Sequence, residues 1–371
     1  MRIIVSGGGT GGHIYPALAL IETLQKKQPN SVILYIGSYR GLESSIIPKY
    51  GLPFKQLSIQ GFSRKISLNN IRTLFMFLNS FRKSKKILLN FAPDIVLGTG
   101  GYVSGAVLLA AQYLKIPTVI NEQNTIPGIT NKFLAKKANK IAISFPDAKK
   151  YFSKKKVVLT GNPRGQQVLS HTKFNLEKLG LKSNLLTILI FGGSGGALKI
   201  NQSAIGFLKR LSKYSNLQGI FVTGKKYYSS VIKEIKKQDY NFSSRIKIFS
   251  YLNNMDKILP KISLLISRSG ATTLAEITSL GIPSILIPSP NVTANHQEKN
   301  ARQLESVGAS KVILENSLTS SNLFNEMIKI VKNPSNLKIM GNSAKRLGRP
   351  DAANRLYHLL IKVIDQKNNK K

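Results

Sequence analysis

His13 closes the run Ser6-Gly-Gly-Gly-Thr-Gly-Gly12, where five glycines let a ligand come close to the backbone. An imidazole in a loop of that kind is a candidate for a chemical role, since its charge changes near neutral pH. Asn121-Glu122-Gln123-Asn124 puts four polar side chains at the end of an apolar run, placed either for ligand contact or to cap the next helix. A second glycine run, Gly192-Gly-Ser-Gly-Gly-Ala197, repeats the layout of the first. In Leu264–Glu276 an apolar run turns at Ser269-Gly270 into helical composition. Such a turn offers free backbone N–H groups and a positive helix end to a phosphate. Glu276, about a turn into that helix, is placed to accept hydrogen bonds from a ribose diol, or else is an ordinary surface carboxylate.

Each cluster sits where a short branched run meets a helical one. Arg2–Val5, Val32–Ile36, Ile95–Leu97, Pro117–Ile120, Ala138–Ser144 and Lys156–Leu159 read as strands, with helices over Pro16–Gln25 and near Ile129–Ala138. Thr160–Pro163 reads as a linker. The pattern restarts with strands at Leu185–Phe191, Gly219–Val222, Ile246–Phe249, Ile262–Ile266 and Ser284–Ile287, and with helices at Lys199–Leu211 and Ala271–Leu280. This alternation predicts an α/β chain of two Rossmann-like, doubly wound parallel-sheet domains facing one cleft, with ligands at the carboxyl ends of the strands. The expected division is 1–162, 163–345, and a C-terminal piece, 346–371, whose helix near Ala352–Ile364 crosses back to the first domain.

Composition bounds the chemistry. The 371 residues carry a net charge of +39, with 55 Lys and Arg against 16 Asp and Glu, spread over both halves. No zinc-finger, helix-turn-helix or RNP-like pattern accompanies that charge, so no nucleic-acid partner is expected, whereas phosphates and acidic lipid head groups are. With no cysteine, disulfides, thiolate metal sites and a Cys nucleophile are excluded, which fits a reducing compartment. The apolar N-terminal run is too short for a signal peptide. Ile95–Leu114 is uncharged over twenty residues, but its glycines and polar residues favour a strand, loop and helix over a membrane span. No acidic residue ends Val32–Ile36, which disfavours a nicotinamide cofactor.

Leu68–Leu89 places Leu68, Ile71, Leu74, Phe75, Leu78 and Phe81 at helical spacing, with Met76 and Phe77 widening the stripe. Arg64, Lys65, Arg72, Arg82, Lys83, Lys85 and Lys86 surround it. Two readings follow from the pattern, a core-packing helix with a solvated basic flank or an interfacial helix on anionic lipid.

Seven pieces then carry a resemblance: GGTGGH at Gly8–His13, LGTGGYVSG at Leu97–Gly105, NEQN at Asn121–Asn124, TGNP at Thr160–Pro163, GGSGGA at Gly192–Ala197, SRSGATTLAE at Ser267–Glu276 and NHQEKNA at Asn295–Ala301. In this order, over nearly the whole length, the chain closely resembles the MurG family of peptidoglycan glycosyltransferases. The resemblance implies a GT-B fold and inverting transfer of N-acetylglucosamine from UDP-GlcNAc to the MurNAc 4-hydroxyl of lipid I, giving lipid II. It implies contacts from Thr10, Gly11 and Gly12 to the UDP-sugar or the acceptor pyrophosphate, from Asn124 and Gln297 to the sugar, and from Ser194 to the donor diphosphate. Leu252 and Ala271, Thr272, Thr273, Leu274, Ala275 and Glu276 would wrap the uridine and ribose. The family's Arg follows GNP after one intervening residue, whereas Arg164 follows Pro163 directly; Gly195 stands where the family usually has Gln.

For the mechanism, His13 is the first candidate base and Glu122 the second. No cofactor or metal is expected, since the six aspartates form no D-x-D pair. A lipid-linked acceptor tips Leu68–Leu89 toward membrane docking through Leu74, Phe75, Phe77, Leu78, Phe81, Arg82 and Lys83. The expected location is peripheral, on the cytoplasmic face of the bacterial inner membrane. Lipid I, an anionic membrane surface and other proteins of cell-wall synthesis are the expected partners. The competing expectations are a GT-B transferase with another acceptor, a non-catalytic sugar-nucleotide binder, and a UDP-GlcNAc epimerase.

Overall fold

The computed structural model describes residues 1–61, 68–170, 174–292 and 295–369; Arg64 and Lys65 of the basic flank lie outside these, as does the side chain of Leu68. The chain divides into two compact units, Met1–Arg164 together with Asp351–Lys371, and Gly165–Pro350. Each is built on one wholly parallel sheet.

In the first unit the strands are β1 (Arg2–Gly7), β2 (Val32–Ser38), β3 (Phe54–Leu57), β4 (Ile95–Gly100), β5 (Thr118–Glu122), β6 (Lys140–Ile143) and β7 (Val157–Leu159), ordered β3-β2-β1-β4-β5-β6-β7. Their side chains alternate between two cores, because successive strand residues point to opposite faces. Ile3 and Val5 join the helices Gly11–Lys27 and Ala352–Asn368 on one side, while Ile4 joins the Tyr102–Tyr113 helix on the other. The C-terminal helix is therefore part of this core, through Leu356, Leu359, Leu360 and Val363. Ile95–Leu114 forms β4, a glycine pair and the Tyr102–Tyr113 helix, and no helix among the described residues is long and apolar enough to cross a membrane.

The second unit carries β8 (Leu186–Phe191), β9 (Leu217–Val222), β10 (Ile246–Phe249), β11 (Leu264–Ser267), β12 (Ser284–Leu286) and β13 (Ser310–Val312), ordered β10-β9-β8-β11-β12-β13. In both sheets the strand order reverses at the strand that feeds a glycine run: β1 lies between β2 and β4, and β8 between β9 and β11. Crossovers leave to opposite sides there, so the loops part and the strand ends stay open to a ligand.

The first helix begins at Gly11, five residues before the start read from Pro16. Proline suits a first helical turn, but it is tolerated here as the sixth residue because Gly11 and Gly12 can close the opening turn. His13 consequently stands on the helix rather than in a loop, and its backbone is fixed.

Candidate active site

In the first unit, β1 delivers the chain to Gly7–Thr10 and the helix starts at Gly11. The imidazole of His13 donates from Nδ1 to the carbonyl of Gly8 at 2.9 Å. A carbonyl only accepts, so Nδ1 carries the proton and Nε2 is the ring nitrogen with a lone pair in the neutral form. Thr99 Oγ1 donates to the His13 carbonyl at 2.8 Å, and Gly8 N–H donates to the Gly100 carbonyl at 3.2 Å. A Cβ at Gly100 would stand 2.8 Å from Nε2, so only glycine, here at φ +111°, lets β4 pass so close to the ring. Thr10 and Gly12 are exposed beside it and Gly11 is buried.

Beneath the loop lies a carboxylate that sequence reasoning missed. Glu43 has no exposed surface; Oε1 accepts from Ser38 N–H at 2.8 Å and Ser38 Oγ at 2.6 Å, and Oε2 accepts from Gly9 N–H at 2.8 Å. Tyr35 is buried next to it and donates to the Gly7 carbonyl at 2.8 Å. Burial first, and the Glu43 charge second, push the Tyr35 phenol far above its ordinary value. The only sequence signal for Glu43 was its place as the last acid before fifty residues without one.

Glu122, at the end of β5, is also buried, but its oxygens are taken. Asn124 N–H donates to Oε1 at 2.9 Å and Asn124 Nδ2 at 3.3 Å, while Gly128 N–H and Asn131 Nδ2 donate to Oε2 at 3.2 and 2.8 Å. Burial raises its pKa above the usual carboxylate range, against the lowering effect of these four donors. Glu122 thus ties the loop after β5 to the start of the helix Ile129–Ala135 and presents half-buried Asn124 at the loop's edge. Gln123 is turned inward, donating to the carbonyls of Thr99 and Asn121 and to Asn121 Oδ1. Arg164 is buried with its guanidinium 5.3 Å from the ring of Tyr15, two residues beyond His13.

In the second unit, β8 runs into Gly192–Gly196. Gly196 N–H donates to the Gly193 carbonyl at 3.0 Å, which closes a tight turn with Ser194 and Gly195 exposed at its tip. A Cβ at Gly196 would meet the Thr223 carbonyl at 2.2 Å, whereas one at Gly195 would meet nothing within 4 Å.

On the neighbouring strand, β11 turns through Arg268-Ser269-Gly270 into the helix Ala271–Leu280. Arg268 is held by the carbonyls of Ile287 and Pro288 and by Glu315, so it anchors the turn. Ser269 Oγ donates to the Gln297 carbonyl at 2.7 Å, and Gln297 Oε1 accepts from Ser289 N–H at 3.0 Å. The Gln297 side chain is thereby oriented with its amide nitrogen away from that bond. Thr272, Thr273 and Ala275 are half-buried, Ala271 and Leu274 buried, and Glu276 buried at 7% exposure; Leu252 is half-buried. Leu274 and Glu276 are thus more enclosed than Ser194, which is the more open group.

The Leu68–Phe91 helix is turned opposite to the core-packing reading. Ile71, Leu74, Phe75 and Leu78 are exposed, Phe75 to 68%, while Thr73, Ser80, Ser84 and Leu88 face inward. Phe77 and Phe81 are half-buried against the core, and Phe81 meets Tyr113 edge-on at 5.9 Å, so these two belong to the inner flank. Arg82 and Lys83 are exposed. Ile129 and Phe133, one turn apart on the helix Ile129–Ala135, are exposed as well. At Gly105 of the Tyr102–Tyr113 helix a Cβ would lie 3.0 Å from Thr130 and 3.7 Å from Phe77, so the two apolar helices flank the same spot.

Known proteins resemble this chain along its whole length. Residues 3–143 match the glycosyltransferase family 28 N-terminal domain and residues 187–356 its C-terminal domain. A UDP-N-acetylglucosamine–N-acetylmuramyl-(pentapeptide) pyrophosphoryl-undecaprenol N-acetylglucosamine transferase of Oenococcus oeni is 62% identical over 99% of this chain and 98% of its own. The Leuconostoc citreum protein of the same name is 47% identical over the full length of both. Among solved structures, Acinetobacter baumannii MurG superposes with a TM-score of 0.73 at 26% identity, over 97% of this chain and 99% of that one. A UDP-GlcNAc 2-epimerase from Neisseria meningitidis reaches a TM-score of 0.70 at 18% identity over 98% and 100% of the two chains, a likeness of fold alone.

Proposed function

This chain belongs to glycosyltransferase family 28, and on that premise we propose that it transfers N-acetylglucosamine from UDP-GlcNAc to lipid I, the undecaprenyl-pyrophosphoryl-MurNAc-pentapeptide. Full-length identity with transferases named for this reaction supports substrate and product class. The new bond joins the acceptor 4-oxygen to the anomeric carbon while the bond to the UDP oxygen breaks. Its electron pair leaves with the diphosphate and the hydroxyl proton goes to a base.

His13 is the base in this proposal, with Nε2 as the accepting atom. The observation that carries the assignment is the Nδ1–H bond to the Gly8 carbonyl, which fixes that tautomer. Glu122, already bonded by four donors, holds the loop that presents Asn124 to the sugar. Thr10, Gly11 and Gly12 line the same helix start, and Arg164 stands over Tyr15 as a cation on that side of the first unit.

The donor is assigned to the second unit. Backbone N–H groups around Ser194 and the start of the Ala271–Leu280 helix receive the diphosphate as its charge grows, Glu276 takes the ribose hydroxyls, and Gln297 the sugar. The exposed face of the Leu68–Phe91 helix, with its basic flank, supports docking on anionic lipid at the cytoplasmic face of the cell membrane.

The test is UDP release from UDP-GlcNAc with and without a short-chain lipid I analogue, in EDTA. Release that requires the analogue and survives EDTA supports the reading. Consumption of UDP-GlcNAc without acceptor moves it to an epimerase, and no turnover leaves a binding protein.

A further inference from the structure

We propose that Glu43 is a positioning residue for the reaction, acting on His13 through a single peptide group. The inference rests on the reading of His13 as the base. The C=O of Gly8 and the N–H of Gly9 belong to one peptide unit, which is planar, so neither end can turn without the other. Glu43 Oε2 holds the N–H end at 2.8 Å, and His13 Nδ1–H is bonded to the C=O end at 2.9 Å. A carboxylate, a peptide and an imidazole thus stand in series.

The series does two things. It fixes which way the Gly8 carbonyl points, and hence which ring nitrogen keeps the proton. It also polarises the peptide, since a negative charge on its N–H makes its oxygen a stronger acceptor. Thr99 and Gly100 locate the His13 backbone and ring, while the Gly8 carbonyl is close to Nδ1, at 2.9 Å, and Thr10 Oγ1 is farther, at 3.4 Å.

The site is built around a carboxylate at this spot. All three groups that reach Glu43 are donors, and an acceptor-only side chain satisfies them all. Any Cβ at Gly8, Gly37 or Gly41 would fall within 2.5 Å of the Glu43 side chain, so three glycines make room for it. Glutamine keeps the size of Glu43 but must turn its NH2 toward either Gly9 N–H or Ser38 N–H, a donor facing a donor.

The experiment uses the full-length protein with 15N-labelled histidine. The chain has four histidines, and the His13 signal is the one missing from His13→Ala. In the parent protein His13 shows the Nδ1–H tautomer. In Glu43→Gln it moves to the Nε2–H form or a mixture, and kcat falls about 10²-fold while KM for UDP-GlcNAc stays within about threefold. Glu43→Asp keeps the charge but withdraws it from Gly9, and is expected to change both in the same direction by less.

Retention of the Nδ1–H tautomer in folded Glu43→Gln or Glu43→Asp overturns the proposal. So does unfolding of both variants, which assigns Glu43 to the fold alone. Full activity in His13→Ala, with the tautomer still shifting in Glu43→Gln, would sink the base reading while leaving the coupling of Glu43 to His13 standing.

Discussion

The two glycine loops look interchangeable in sequence and are opposites in electrostatics. Each follows the strand at which the order of a parallel sheet reverses and precedes a helix, the arrangement that receives anions elsewhere. Behind the first loop stands the buried Glu43 carboxylate, which takes the Gly9 N–H. The described residues around the second loop place no carboxylate against its glycines; the neighbours of Gly196 are the Thr223 carbonyl, Tyr227 and Gly224. One loop spends a donor on an internal anion and holds an imidazole; the other keeps its tip open. Similar glycine runs are therefore assigned proton transfer in one unit and charge acceptance in the other.

Replacing His13 by Ala should have the largest effect, about 10²- to 10³-fold in kcat, with little change in KM for UDP-GlcNAc. A loss within about tenfold, worth about 1.4 kcal/mol of barrier, would erase the chemical role given to the first loop.

The second loop is tested by a matched pair. Gly196→Ala puts a methyl into the Thr223 carbonyl at a left-handed φ of +75°, and should destabilise the second unit by about 1–3 kcal/mol and raise KM for the donor. Gly195→Ala, with open space around it, should shift stability by less than about 0.5 kcal/mol in thermal unfolding. Equal effects from the two would mean that the tip is not held by its base.

Membrane contact, assigned to the first unit alone, is next. Leu74→Ser with Phe75→Ser removes two exposed apolar side chains and should weaken binding to anionic vesicles by about 1–3 kcal/mol without lowering the melting temperature. The half-buried Phe77 and Phe81 serve as the contrast, since replacing them by Ser should lower stability as well. Unchanged vesicle binding in the exposed pair would remove the helix from the interface.

The smallest effect concerns Glu122. Burial raises its folded pKa above the unfolded value, so the protonated carboxyl is the form the fold prefers. That contribution is fully present below the unfolded value and is lost as pH rises through the folded one. The melting temperature of the parent protein relative to Glu122→Gln should therefore fall as pH is raised from about 4 to 8. A constant difference would mean that the four donors cancel the cost of burial.

Strand runs such as Arg2–Val5 and Leu185–Phe191 were legible because a strand covered on both faces needs an unbroken apolar run. β3 was not: Phe54-Lys-Gln-Leu57 lies at the sheet edge with Lys55 and Gln56 exposed, so half of its pattern is polar. β13, Ser310-Lys-Val312, is too short to show a period. The proposed site residues with glycine context, His13, Ser194 and Glu276, could be named from spacing and resemblance. Glu43 could not, because its proposed role depends on β2 lying beside β1, which brings Ser38 and Gly9 to one carboxylate and which no local pattern announces. The orientation of the Leu68–Phe91 helix was hidden for a related reason. Amphipathic spacing identifies two faces, and only the packed neighbours decide that Thr73, Ser80 and Ser84 form the inner one.

The closing helix, Ala352–Asn368, has a consequence for how the molecule is made. The unit synthesised first is completed last, since four of its core side chains arrive with the end of the chain. At about 5–20 residues per second, the roughly 200 residues after Arg164 occupy the ribosome for about 10–40 s. Through that interval the Gly11–Lys27 helix lacks its cover, while the inserted unit, one continuous stretch, is free to fold on emergence. Ribosomal stalling or a premature stop just before Leu356 should thus spoil the first unit, leaving the inserted one intact.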